Sequence, residues 1–236
     1  MEIYNDRTYT VEEKQSSVFS SLMRKVYVWM TLALCVTGLT ALYVSNNHEL
    51  MTAIFSSRIL FYGLMIGEVA MVWILSASIY KMSFFTAASM FVLYSILNGV
   101  TMSFIFLAFT VTSIATTFFI TAGTFAAMAI VGYTTKKDLS GWGRYLFMAL
   151  IGLIIATIVN IFVASTALDW IISYIGIFIF VGLTAYDSQK IKSMIMTYGT
   201  EVNDSTQKLA LMGSLNLYLD FINLFLYLLR IFGRNK

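Results

Sequence analysis

Residues 209–232 read LALMGSLNLYLDFINLFLYLLRIF, and within them Gly213, Asn216, Asp220, Asn223 and Tyr227 follow one another at steps of 3, 4, 3 and 4. That spacing places all five on one face of a helix. The other faces carry Leu211, Leu215, Leu217, Leu219, Phe221, Ile222, Leu224, Phe225, Leu226, Leu228 and Leu229. A helix that is apolar on most sides and polar along one stripe suits a bilayer interior better than water. A carboxylate turned to lipid is costly, so the stripe is expected to face other helices or a cavity. This segment therefore reads as the centre of a bundle. Asp187, at the end of the preceding apolar run, is the best partner for Asp220.

Composition agrees. The chain is 59% hydrophobic and only 11% charged, against about 25% charged in a soluble domain. Apolar runs of about 20 residues recur, the length that crosses a hydrocarbon core. They fall at 26–44, 59–80, 84–109, 113–133, 144–163, 169–186 and 209–232. The fold class expected is all-α, a seven-transmembrane-helix bundle with the last helix central. Residues 1–25 read as a polar cytoplasmic arm and 26–236 as one transmembrane domain. The arm precedes a long span, so no cleavable signal is expected and the first span serves as its own targeting signal. The connections 45–58 and 188–208 read as loops. No proline is present, so any helix break must come from glycine, a polar residue or a bulge.

Basic residues set the orientation. With the N-terminus in the cytoplasm, Arg7, Lys14, Arg24, Lys25, Lys81, Lys136, Lys137, Arg144, Lys190, Lys192 and Lys208 lie inside and only Arg58 lies in an outer loop. This is the positive-inside pattern of a multi-pass protein of the cell membrane. Arg230, Arg234 and Lys236 run against it if the last segment crosses fully. A re-entrant segment is the alternative; a full span is the preferred reading, because about 24 residues suffice to cross. The net charge of +3 is topological and indicates no nucleic-acid partner. Trp29, Trp142 and Trp170, near segment ends, read as interfacial anchors.

Three acids fall within apolar runs: Glu68, Asp187 and Asp220. An intramembrane acid marks a functional site unless it is a neutral carboxyl bonding a neighbouring helix. Asp220 lies 11 residues into its segment, about 16 Å along the axis. Asp187 reaches a similar depth if its helix continues into 188–192. Two carboxylates at one site do not both ionise readily and titrate as a unit. Together they offer oxygens to a hard cation such as calcium, but far fewer than the six to eight of a tight calcium site. Asn216 and Asn223 would have to add to them, and weak binding suits permeation. Tyr94, Asn98 and Thr101 share a face of the third span, and Thr157 and Asn160 a face of the fifth; these read as helix-to-helix hydrogen bonds. There is no P-loop, no HExxH and no Cys/His cluster. His48 is the sole histidine and Cys35 the sole cysteine. No enzymatic activity and no cofactor are expected.

The stretch 182–192, GLTAYDSQKIK, and the stretch 217–225, LYLDFINLF, resemble the two aspartate motifs of the Bax-inhibitor family, the transmembrane BAX inhibitor motif proteins, in its bacterial type. Glu68-Val69-Ala70, Asn98-Gly99 with Thr101, and Lys136-Lys137-Asp138-Leu139 add to the match, which covers the chain from about residue 20. The resemblance implies a seven-helix bundle around the last helix. It also implies a pH-sensitive calcium leak gated by an aspartate pair, here Asp187 and Asp220. The resemblance to some bacterial members further implies a closed state held by an arginine near the cytoplasmic end of the second helix, paired to the sixth-helix aspartate. Here that neighbourhood reads Ser78-Ile79-Tyr80-Lys81, so Lys81 is the candidate latch, without the bidentate fork of arginine.

The reading that results is a calcium or cation leak channel. Asp187 and Asp220 bind the ion and sense pH, Asn216, Asn223, Tyr227 and Glu68 line the pore or gate, and the partners are the bilayer, calcium ions and protons. Three alternatives remain at this level. One is a non-transporting regulator of another membrane protein, such as a membrane protease, contacting it through the N-terminal arm. A second is an intramembrane aspartyl protease, which the absence of glycine beside Asp220 and of any proline speaks against. The third is a proton-coupled exchanger, for which no inverted repeat is evident.

Overall fold

A computed structural model describes residues 13–234 in full and residues 2–12 by their backbone. Arg7 and Lys236, counted in the charge pattern, thus have side chains outside the described set. Nine α-helices carry the described chain: α1 (Glu2–Asn46), α2 (His48–Ser56), α3 (Arg58–Ser78), α4 (Phe84–Met102), α5 (Ile105–Ala108), α6 (Val111–Thr134), α7 (Ser140–Val163), α8 (Thr166–Tyr198) and α9 (Asp204–Phe232). Among the described residues, seven segments are long and apolar enough to cross a membrane. The all-helical, seven-span expectation is met. α9 is the most enclosed segment, with 72% of its most apolar window buried against 6% for α3. A segment whose apolar side chains stay exposed needs lipid around it.

Several boundaries differ from expectation. The connection 188–208 is not a loop: α8 runs on to Tyr198 and only 199–203 join it to α9. Lys190 and Lys192 disguise the continuation, but Ile191 and Ile195, one turn apart, are both buried. Asp187 is therefore inside α8, not at its end. The connection 45–58 contains α2, which buries Met51 and Ile54 and is capped by Asn47. The third span breaks at Ser103–Phe104 before α5. The polar arm and the first span form one continuous helix, so Trp29 sits within α1, its ring 6.0 Å from that of Phe84.

The chain divides into two compact units. The first comprises Met1–Ser103 and Ile191–Leu215. Here α1 packs directly on α4: Thr37 Oγ1 donates to the Ser95 carbonyl at 3.0 Å, and a Cβ on Gly99 would stand 2.6 Å from the Thr37 carbonyl oxygen. Such close backbone approach is how helices associate where water supplies no driving force. The turn before α4 is stapled to the start of α9. Asp204 accepts from Phe84 N at 3.2 Å and pairs with Lys208 at 2.9 Å, while buried Lys208 donates to the Met82 carbonyl at 3.0 Å. Glu68 on α3 accepts the hydroxyl of Thr101 on α4.

The second unit comprises Phe104–Lys190 and Asn216–Lys236. α6 lies against α8 at Gly132, where any Cβ would collide with the Ala185 backbone. α6 meets α9 through Phe118 and Phe125, each with its ring centroid 5.5 Å from that of Phe221. The connection into α7 is held by Gln189, which accepts from Leu139 N and donates to the Lys137 carbonyl, both at 2.8 Å. Asp138 precedes α7, and hydrogen bonds from Ser140 hold its carboxyl below the usual carboxylate range. Between α7 and α8 the chain turns at Ala164, the one described non-glycine residue at positive φ (52°). Asn160 organises that turn: Nδ2 donates to Asp169 at 2.9 Å and Oδ1 accepts from Ser165 N at 3.0 Å. Leucine at Asn160 removes both bonds and leaves the Ser165 N–H without its acceptor, which is expected to cost about 1–3 kcal/mol, read as a lower midpoint of thermal unfolding in detergent; an unchanged midpoint contradicts this role.

Candidate functional site

Four of the five stripe residues of α9 converge on one cavity in the second unit. Asn216, Asp220, Asn223 and Tyr227 line it together with Leu219. Gly213 belongs to the first unit, where its missing side chain makes room for Ile191. The cavity measures about 730 Å³. α8 supplies Phe180, Leu183, Tyr186, Asp187 and Lys190 to its wall, and α7 supplies Ser140, Gly143, Arg144, Phe147, Leu150 and Ile154.

Asp187 and Asp220 thus share one cavity, close enough for the Asp187 charge to act on Asp220. The continuation of α8 makes this possible, because it puts Asp187 well within the helix. Asp220 is 4% exposed, and its Oδ2 is buried without a hydrogen-bond partner among the described residues. A buried polar atom without a partner is costly. A proton or a cation is what such a carboxylate oxygen is suited to accept. Neutral oxygens stand nearby: the Asn223 amide nitrogen donates to the Leu219 carbonyl at 2.8 Å, which leaves the amide oxygen as an acceptor in the cavity wall. Among the described residues no three His, Cys, Asp or Glu side chains cluster closely enough to hold a metal ion.

Aromatic packing forms part of the cavity wall. The Tyr227 ring stacks on Phe180 at 5.9 Å and fills the space over Gly176, where a Cβ would approach it to 2.8 Å. Arg230 lies 5.9 Å from the same ring and 3.6 Å from Asp169. Asn160 is thus an interhelix contact, as read from the sequence, whereas the Thr157 hydroxyl donates to the Leu153 carbonyl of its own helix at 2.8 Å.

The remaining candidates lie elsewhere. Glu68 and Lys81 belong to the first unit and are not among the lining residues. Lys81 ends a 3₁₀ turn, Ile79–Lys81. Sequence reasoning treats Arg144 and Lys190 only as topological charges and does not find Tyr186 at the cavity. The available signal is the i, i+3 spacing of Asp187 and Lys190, legible once α8 is carried past residue 187.

Comparison with known proteins places this architecture. The family model described as inhibitor of apoptosis-promoting Bax1 matches residues 19–236. The chain is similar to the inner membrane protein YbhL of Escherichia coli K12, at 50% identity over 214 residues, 91% of this chain and 92% of that protein. It is similar to the uncharacterized protein RP147 of Rickettsia prowazekii at 39% identity over 239 residues, 98% of each. An uncharacterized membrane protein of Streptococcus pyogenes serotype M1 is 40% identical over 189 residues, 80% of this chain and 81% of that one. With seven membrane-length segments and both aspartate motifs on one cavity, this chain belongs to the Bax-inhibitor family and is a multi-pass helical membrane protein.

Proposed function

We propose that the protein is a cation leak channel for calcium whose conductance is set by the protonation of the Asp187–Asp220 pair. The observation that carries this reading is the buried, unpartnered Asp220 Oδ2 in a cavity that Asp187 also lines. When the pair is ionised it offers oxygens to a cation and offsets the charges of Arg144 and Lys190 on the same wall. When it is protonated both are lost. Binding is weak, because two carboxylates and the amide oxygens of Asn216 and Asn223 fall short of a calcium cage, and weak binding lets the ion leave. Tyr227 lines the path. The protein carries out no covalent chemistry and needs no cofactor; calcium is its cargo. It sits in the cell membrane with its N-terminus in the cytoplasm, by the distribution of basic residues. α9 is continuous over 29 residues, about 43 Å, which supports a full crossing over a re-entrant path.

Calcium entry into liposomes holding the purified protein tests this. Flux should exceed that of empty liposomes and should fall as pH is lowered, because protonation removes the ion-binding carboxylates and leaves the positive charges of Arg144 and Lys190 unopposed. Flux equal to that of empty liposomes at every pH would overturn the channel reading and favour the regulator of another membrane protein.

A further inference from the structure

The cavity holds two bases as well as two acids: Arg144 and Lys190 share its wall with Asp187 and Asp220. Lys190 follows Asp187 by three residues on α8, so both side chains stand on one face. Its charge acts on Asp187, yet it is absent from the ion pairs formed within 4 Å among the described residues. Its ammonium instead stands 5.7 Å from the centroid of the Tyr186 ring, within cation–π range. Tyr186 is itself fixed in place: its ring occupies the space where Gly143 lacks a side chain, and a Cβ there would collide with it. Lys190 is exposed, and a flexible four-carbon stem lets a lysine move between positions without breaking a bidentate bond.

We propose that Lys190 is a tethered competitor for the cation at the Asp187–Asp220 cavity. An entering divalent ion must displace this built-in charge, and Lys190 thereby sets the cavity's affinity for cations. The inference rests on the cation-site reading above and adds the residue that tunes it. A resident ammonium near, but not bonded to, a carboxylate lowers the field an incoming cation feels while leaving the carboxylate oxygens free. Tyr186 holds the ammonium within range, and Gly143 holds Tyr186. Arg144 adds to the same positive field from α7, but Lys190 is the cation coupled to Asp187.

The test compares full-length wild type with Lys190→Gln, Lys190→Arg and Lys192→Gln. Calcium binding is measured by equilibrium dialysis of the detergent-purified proteins, and calcium flux in liposomes. Lys190→Gln should lower the half-saturating calcium concentration on the order of tenfold. Lys190→Arg should restore the wild-type value. Lys192→Gln, on the same helix but outside the cavity lining, should leave it unchanged. Because Lys190 is exposed, its replacement removes no core packing. An unchanged or raised half-saturating concentration in Lys190→Gln overturns the proposal, as does a failure of both wild type and Lys190→Gln to bind calcium. Tighter binding in Lys190→Gln with no flux from any variant would sink the channel reading and leave the role of Lys190 standing. Flux that depends on pH but is the same in wild type and Lys190→Gln would do the reverse.

Discussion

Asparagine at Asp220 is expected to lower calcium flux by at least about tenfold at mildly alkaline pH and to remove its dependence on pH. The side chain is 4% exposed at the wall of the cavity, and asparagine matches its shape, so the change is chiefly one of charge. With both aspartates ionised, the formal charges of Asp187, Asp220, Lys190 and Arg144 cancel around the cavity. Removing one carboxylate leaves a net positive cavity, which repels cations at every pH. A unit charge about 4 Å from another contributes about 4 kcal/mol at an effective dielectric near 20. A tenfold loss corresponds to only about 1.4 kcal/mol, so the predicted effect is a conservative fraction of that interaction. Flux measured in liposomes across a pH series reads the result. Wild-type flux and wild-type pH dependence in Asp220→Asn would mean that the carboxyl serves packing alone.

Alanine at Gly132 should cause the largest loss of stability. The new Cβ would meet the backbone of Ala185, not the end of a flexible side chain, so α6 and α8 must separate. Overpacking a well-filled core typically costs about 1–3 kcal/mol, and a clash with backbone belongs at the upper end of that range. A domain holds only about 5–15 kcal/mol in all. Gly123 lies on the same helix with nothing near its Cβ position. Alanine there should be neutral or stabilise by up to about 1 kcal/mol through helix propensity. The pair of variants separates steric effects from helix propensity, read as the midpoint of thermal unfolding in detergent. Equal midpoints for the two would contradict the close approach of α6 and α8. Ala185 also lies two residues from Asp187, so Gly132→Ala should disturb calcium flux as well as stability.

The polar stripe of α9 is legible in the sequence because a helix maps steps of three and four onto one face. Four of its five residues do line the cavity. The seven spans are legible for a related reason, since the bilayer fixes the length of an apolar run. The expected loop at 188–208 fails where charge and burial part company. Lys190 and Lys192 look like solvated loop residues, while Ile191 and Ile195 between and beyond them pack inward. The same disguise hides Lys190 as a neighbour of Asp187 and leaves Asp187 at an apparent helix end. The short helix α2 escapes notice because Asn46, Asn47 and His48 resemble a loop; Asn47 is instead the cap that starts the helix. Arg144 and Tyr186 cannot be placed at the cavity from spacing, since the start of α7 meets α8 and α9 only through tertiary packing. Glu68 resembles the aspartates as another acid in an apolar run, whereas its carboxylate takes the hydroxyl of Thr101 in the other unit.

The central claim is that Asp187 and Asp220 act as one unit, and a double-mutant cycle on calcium flux tests it most directly. Flux is measured against pH for wild type, Asp187→Asn, Asp220→Asn and the double variant. Partners in one site give strongly non-additive effects. The prediction is that each single variant loses pH dependence and that the double variant is little worse than either. Two independent, additive losses, or a single variant that keeps the wild-type pH profile, would contradict a leak gated by the pair.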